Sequence, residues 1–90
     1  MRIAPDDHEA YLSIGNAYRE LRQPDQAIAA FEKAIAVKPD YAIAHFNLGL
    51  VLAQQKRLPE ARQHLETAAR MSPSVASRAR QTLRQLGPER

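Results

Sequence analysis

The sequence predicts an all-α fold: a helical repeat of two antiparallel helix pairs followed by a C-terminal capping helix. The first observation is one constant interval, which separates Pro5 from Pro39, Pro39 from Pro73, and Gly15 from Gly49. The second is that apolar residues between these landmarks recur at helical spacing, while no segment alternates as a strand does. A fixed interval of roughly 34 residues is typical of a repeat protein whose unit is a pair of helices.

The chain of 90 residues is expected to form one domain, with repeat one over residues 8–41, repeat two over 42–75 and the capping helix over 74–86. Its 44% apolar and 26% charged residues are ordinary for a globular protein. No apolar run approaches the roughly 18 residues of a membrane span, and no secretory signal is visible. The absence of cysteine excludes disulfides and suits a reducing interior, so a cytoplasmic location is expected.

The first two helices are predicted from start signals. Asp6, with Glu9 three residues later, resembles a capping box and predicts a helix that runs to about Leu21. The second helix is expected over about Pro24 to Val37, because proline is favoured in the first turn of a helix.

The third helix, between Pro39 and Gln55, is predicted to be the centre of the fold. Asp40 is its expected N-cap, and apolar residues cover much of its circumference. A helix that is apolar on several sides needs neighbours on several sides. We therefore expect this helix to contact most of the others.

The last two helices follow from turn signals. A turn over 56–59 precedes the fourth helix, which should end near Met71. The fifth should run from about Ser74, its expected N-cap, to Leu86, and should stop at Gly87 and Pro88. Its apolar residues form one stripe and its polar residues lie largely elsewhere, as expected of a capping helix.

The glycines predict where paired helices come closest. Glycine within a helix costs about 1 kcal/mol relative to alanine, so its recurrence at one interval indicates close packing. The large residues expected to pack around these contacts are Tyr11, Ile14, Tyr18 and Phe31 in the first repeat and His45, Leu48, Leu52 and Leu65 in the second.

The chain resembles a tetratricopeptide repeat protein over residues 8–75. The motif reads Tyr11-x2-Ile14-Gly15-x2-Tyr18, Ala27-x3-Phe31, Ala34 and Pro39 in the first copy, and His45-x2-Leu48-Gly49-x2-Leu52, Ala61-x3-Leu65, Ala68 and Pro73 in the second. His45, where an aromatic residue is usual, is the main departure. The resemblance implies a right-handed stack of helix pairs whose concave groove binds peptides or helices of other proteins, and it implies no enzyme.

The resemblance also implies that the first helix of each pair and the fifth helix line the groove. The expected partner-binding residues are Leu12, Asn16 and Arg19 from the first helix, Ile43, Phe46, Asn47 and Leu50 from the third, and Arg80 and Arg84 from the fifth. Helical spacing independently places most of the residues of each helix on one stripe. The apolar members would form a floor that accepts an amphipathic helix or an extended peptide, unless a neighbouring helix or a second chain covers it.

Some family members clamp the C-terminal carboxylate of a peptide between basic and asparagine side chains. Asn16 and Asn47 match those asparagines, but Leu12, Ser77 and Gln81 stand where the clamp needs basic residues. A clamp of this type is therefore not expected.

Two alternatives to the groove concern other surfaces. No cap precedes the first helix, so the outer side of the first pair should be less well covered, and two repeats are fewer than the roughly three that such arrays need for stability. We therefore expect either a fragment of a longer array or self-association into a homo-oligomer. The net charge of +3 divides into −2 over residues 1–45 and +5 over 46–90, so a basic nucleic-acid-binding surface is a further, less favoured alternative.

No catalytic site, metal site or cofactor is expected. His8, His45 and His64 fall on different helices without the i, i+4 spacing of a helical metal site. Capping explains the acidic residues near the N-terminus, and neither a P-loop nor a GxGxxG motif occurs.

Overall fold

The structure is a computed structural model that describes residues 4–87, a range that contains five α-helices and no strand. The helices are α1 (His8–Glu20), α2 (Pro24–Val37), α3 (Ala42–Gln54), α4 (Leu58–Met71) and α5 (Pro73–Leu86). Each helix packs against the next one along the chain. These contacts confirm the predicted all-α fold of two helix pairs and a terminal helix. None of the helices in this range is long and apolar enough to cross a membrane.

The start of α1 lies one residue later than the capping prediction placed it. Asp7, rather than Asp6, is the N-cap, and its Oδ1 accepts a hydrogen bond of 3.0 Å from the backbone N–H of Ala10. Ala10 is the third residue of the helix, the position that an N-cap side chain reaches. Glu9 therefore occupies the second helical position, and the predicted capping box with Asp6 is wrong.

The N-caps predicted for α3 and α5 are also wrong. α3 starts after Tyr41, and no side chain caps it, whereas Asp40 lies in the preceding turn. α5 starts at Pro73 with Ser72 as its N-cap, two residues before the predicted Ser74. Proline at the first helical position explains this earlier start, because its fixed φ suits a helix and its missing N–H is not needed there.

The end of α5 is fixed by a side chain from α4. Arg62 Nη2 donates hydrogen bonds to the carbonyl oxygens of Gly87 at 2.6 Å and Leu86 at 3.3 Å. Gly87 has a φ of 81°, which agrees with the predicted glycine stop. Pro88, the other half of that signal, lies outside the described residues, as do residues 1–3.

The central position predicted for the third helix is confirmed. α3 contacts each of the other four helices, and eight of its 13 residues are buried. Leu48, Val51 and Leu52 belong to a core cluster shared with α2, whereas Phe46 belongs to a second cluster shared with α4 and α5. The two parts of the core therefore meet at α3.

Gly15 and Gly49 lie at close contacts between the paired helices. A Cβ atom at Gly15 would lie 2.5 Å from Cε1 of Phe31, and one at Gly49 would lie 2.8 Å from Cγ of Leu65. Phe31 and Leu65 are fully buried, so neither side chain can easily move away from an added Cβ atom. The prediction that these glycines permit close packing is confirmed at both positions.

The large packing residues differ between the two repeats in how well they are covered. His45 is 7% exposed, and Leu48 and Leu52, which pack in one cluster with residues of α2, are each 1% exposed. Their equivalents in α1, one repeat earlier, are only half-buried: Tyr11, Ile14 and Tyr18. This difference confirms the expectation that the outer side of the first pair is less well covered.

The short turns within the two helix pairs share one backbone geometry. Arg22 and Lys56, which occupy equivalent positions in the two repeats, have φ values of 60° and 63°. After each of them, a backbone N–H returns to the preceding helix at 2.9 Å, from Gln23 to Tyr18 and from Arg57 to Leu52. This closure usually takes glycine, because other residues adopt positive φ at a steric cost.

We predict that Lys56→Gly stabilises the protein by about 1 kcal/mol and raises Tm by roughly 4–8 °C, because glycine adopts positive φ without that cost. Thermal unfolding followed by circular dichroism measures the change. Gln55→Gly is the matched control, since Gln55 has a φ of −86° and glycine there should only destabilise. A lower Tm for Lys56→Gly would show that the turn carries no such strain.

Candidate functional site

The first helices of the helix pairs lie side by side. α1 contacts α3, and α3 contacts α5, so residues predicted to line one groove come from adjacent helices. Asn47 Nδ2 donates a hydrogen bond of 3.0 Å to Asn16 Oδ1 and joins α3 to α1 directly. Asn47 is only 5% exposed, whereas Asn16 is half-buried. The two asparagines therefore connect the helices, and Asn16 remains the more accessible of the pair.

Three of the predicted apolar groove residues keep part of their side chains at the surface. Leu12 on α1 is half-buried and packs against the first core cluster. Ile43 and Leu50 on α3 are half-buried and pack against the second cluster. Each side chain therefore has core contacts on one side and exposed apolar surface on the other.

Phe46 does not lie open on the groove floor, where the sequence analysis placed it. It is 4% exposed and packs in one cluster with Val75 and Ala79 of α5 and with Leu65 of α4. The guanidinium carbon of Arg78 lies 4.9 Å from the centroid of its ring. The small residues of α5 allow that helix to close over the ring, which the apolar stripe of α3 alone does not reveal. Phe46 therefore supports the surface from below.

The two predicted arginines of α5 are exposed, but Arg80 does not face α3. It lines a depression of about 320 Å³ with Leu83 and with Glu66, Ala69 and Arg70 of α4. Arg78, which the sequence analysis did not include, is the arginine that lies over α3. Arg80 thus belongs to the α4 side of the terminal helix, and only Arg84 stays a candidate for the groove.

Arg19 lies at one end of the candidate site. It lines a cavity of about 500 Å³ formed where α1 and α3 end, together with Glu20, Arg22, Pro24, Val51, Gln54 and Gln55. Most of the side chains around this cavity are polar, and Val51 gives it an apolar side. Its lining can therefore form hydrogen bonds with a polar or charged group.

Two histidines that have no metal-site spacing in the sequence meet between α3 and α4. The Nδ1 atoms of His45 and His64 are 3.0 Å apart, and their rings stack with centroids at 5.2 Å. The Nε2 atom of His45 is 2.9 Å from the carbonyl oxygen of Pro39. Because a carbonyl only accepts, Nε2 of His45 carries the proton, and Nδ1 of His64 donates to Nδ1 of His45.

The environment of His64 favours its neutral imidazole. Burial, and then the neighbouring His45, lower the pKa of His64, while Glu60 partly opposes the shift. Tyr11 and Ala30, which stand one repeat before the two histidines, line one depression, so the equivalent positions of the first pair also lie close together. Within residues 4–87 no group of three or more potential metal ligands occurs, so the pair falls short of a zinc site.

Comparison with known proteins agrees with this architecture. Residues 5–76 match the family described as Tetratricopeptide repeat. The chain is also 41% identical over 49 residues to Tetratricopeptide repeat protein 37 of Xenopus laevis, a match that covers 54% of this chain and 3% of that protein. The matched part is therefore a small piece of a much longer relative. Because the family match covers most of the chain and both helix pairs, the chain belongs to the tetratricopeptide repeat family, a family of protein–protein interaction modules.

Proposed function

We propose that the chain binds a peptide or helix of another protein along α1 and α3, with Leu12, Ile43 and Leu50 as the apolar contacts. The observation that carries this proposal is that these three side chains are half-buried on two helices that contact each other. Apolar surface that is held in place by a core costs little conformational entropy when a partner covers it. An amphipathic helix or an extended peptide supplies matching apolar side chains.

Polar residues around this surface would orient the partner. Asn16 can donate from its amide nitrogen to backbone carbonyls of a bound peptide while its oxygen accepts from Asn47. Arg19 at one end and Arg84 on α5 offer charged hydrogen-bond donors to acidic groups. Phe46 and Asn47, being buried, would act by holding α3 in place rather than by touching the partner.

We predict that Ile43→Gln combined with Leu50→Gln weakens peptide binding about tenfold or more. Fully burying an apolar side chain contributes roughly 1.5–3 kcal/mol, and a partner would bury the exposed part of each of these two half-buried residues. The probe is a set of peptides selected from a random display library against the wild-type chain. Fluorescence anisotropy then measures their affinity for the wild-type and variant chains. Helicity measured by circular dichroism should change little, because both residues are only half-buried.

Leu21→Gln is the matched control. Leu21 is 64% exposed and lies outside the proposed groove, so its substitution removes exposed apolar surface without touching the site. Selected peptides should bind this variant as well as they bind the wild type. Equal affinity for the wild type and the Ile43 and Leu50 variant would place the binding surface elsewhere. Phe46→Ala is unsuitable for this test, because truncating a buried phenylalanine costs about 3–5 kcal/mol of stability.

A nucleic-acid-binding surface has less support than the groove, because several arginines in the basic half have intramolecular partners. Arg57 forms a 2.7 Å ion pair with Glu60, Arg62 binds carbonyl oxygens at the end of α5, and Arg78 lies over a phenyl ring. Binding to the groove should also depend little on salt, whereas binding to phosphates would weaken steeply as salt rises.

A second candidate function is self-association through the outer side of the first helix pair. Its half-buried apolar residues line a depression of about 360 Å³, formed by Tyr11, Ile14, Tyr18, Gln26, Ala29, Ala30 and Lys33. Leu48 and Leu52, the equivalents of Ile14 and Tyr18, pack against α2, which indicates that this face suits a covering helix. A second copy of the chain could supply that cover.

Sedimentation velocity over the micromolar range tests this candidate. If the face mediates self-association, the wild type should form dimers as concentration rises, and Tyr18→Glu should abolish them by placing a charge in the contact. Leu21→Gln again serves as the control and should leave the dimer unchanged. A wild-type monomer at every concentration would exclude self-association and leave the groove proposal intact.

A further inference from the structure

The His45–His64 pair connects three parts of the fold through two hydrogen bonds. His45 lies on α3, His64 lies on α4, and Pro39 lies in the turn that joins α2 to α3. The bond between the two Nδ1 atoms is 3.0 Å long and the bond from His45 Nε2 to Pro39 is 2.9 Å long. Because His45 is 7% exposed, water cannot readily replace these bonds.

The two hydrogen bonds tolerate one additional proton but not two. The first proton can add to Nε2 of His64, which is half-buried, and this leaves the bond from its Nδ1 to His45 intact. The second must add to Nδ1 of His45, whose lone pair accepts that bond. Two N–H groups on two positive rings would then face each other across 3.0 Å, so the contact must open.

We propose that the His45–His64 pair is a proton-operated latch, which holds α3, α4 and the α2–α3 turn together at neutral pH and opens when both imidazoles are protonated. The first repeat has Tyr11 and Ala30 at the equivalent positions, so the latch is confined to the second repeat. Burial lowers the pKa of His64 and therefore also opposes protonation of the pair.

Charged groups near the two histidines influence how readily the imidazoles are protonated. On α4, Glu60 lies one turn before His64 and favours a positive ring, but its carboxylate also holds Arg57 at 2.7 Å. On the other side, Lys38 and Asp40 flank the Pro39 carbonyl and pair with each other at 3.8 Å. Each of these neighbouring carboxylates is thus shared with a basic residue, which limits its attraction for a second imidazolium.

Loss of the contact between the two histidines would affect the proposed groove, because His45 lies on α3. His45 is followed directly by Phe46 and Asn47, the buried residues that hold α3 against α5 and α1. A shift of α3 at His45 therefore disturbs the support beneath Ile43 and Leu50. This consequence rests on the proposed function, whereas the latch itself can be tested on the chain alone.

The sign of the pH effect follows from proton linkage. The unfolded chain binds protons on both histidines near their ordinary pKa of about 6.5, while the folded chain resists the second proton. Folding is therefore favoured above that pH and loses stability as the pH falls below it. The pKa for the second proton is lower in the folded chain than in the unfolded chain. At a pH below both values, each unit of this difference raises the unfolding equilibrium constant tenfold.

The test compares thermal and urea unfolding of the whole chain between about pH 7.5 and 5, the range over which histidine changes charge. Variants that remove the latch are His45→Tyr with His64→Ala, which restores the residues of the first repeat, and His64→Gln, which keeps an amide donor without a titrating group. His8→Gln is the matched control for the third histidine, whose ring meets Tyr41 edge-on at 4.8 Å.

We expect the wild type and His8→Gln to show a rise of about tenfold or more in the unfolding constant on acidification, and the latch variants to lose most of it. Besides the step of His8, imidazole NMR of the folded wild type should show two separate titration steps for His45 and His64, with the second proton binding at a lower pH than the first. If the double variant fails to fold, His64→Gln decides the outcome. An undiminished pH response in the latch variants, or a single ordinary step for both rings, would overturn the proposal.

A partner measurement separates the latch from the groove. A groove-selected peptide should lose affinity on acidification with the wild type but not with His64→Gln. If no peptide binds at neutral pH, the groove proposal fails, and the unfolding measurements still decide the latch. If peptides bind at neutral pH but the latch variants keep the full pH response, the latch fails and the groove proposal stands.

Discussion

The close approach of paired helices at Gly15 and Gly49 is the constraint on which the rest of the structure depends. At each position the absent Cβ lets a fully buried side chain from the second helix of the pair reach the backbone of the first. Phe31 and Leu65 fill that space, so each pair buries a large side chain along its own axis. Two such pairs stacked on each other place α3 in contact with every other helix.

The central position of α3 limits what this protein can present to a partner. Most of the α3 surface is used for packing, and the two asparagines tie it to α1. What remains is a stripe that holds Ile43 and Leu50, beside Leu12 of α1. The candidate site therefore has apolar side chains at its centre that also contact the core. That geometry suits recognition of another chain.

Much of the fold was predictable because the repeat interval encodes it. Landmarks at a fixed spacing located both helix pairs, and the glycines located their contacts. Individual hydrogen bonds and backbone dihedral angles were not predictable in the same way. Asp7 rather than Asp6 caps α1 because only its carboxylate reaches Ala10, and Arg22 carries no sequence signal for its positive φ.

The candidate site was predicted less well than the fold, for a related reason. Phe46 lies on the expected stripe of α3, yet its burial depends on the small residues that α5 brings against it. The contact between His45 and His64 spans 19 residues and depends on how α4 is rotated against α3. Spacing within one helix predicts a face, but the identity of the neighbour decides whether that face is open.

The free energy of unfolding of Gly49→Ala tests the central claim most directly. In an open helix, alanine in place of glycine stabilises by about 1 kcal/mol. Here the new Cβ would lie 2.8 Å from Leu65 and 3.3 Å from the carbonyl oxygen of Ala61. Urea unfolding should therefore show destabilisation, by about 1 kcal/mol or more after the helix preference is included. A stabilisation of the size seen in open helices would contradict the account.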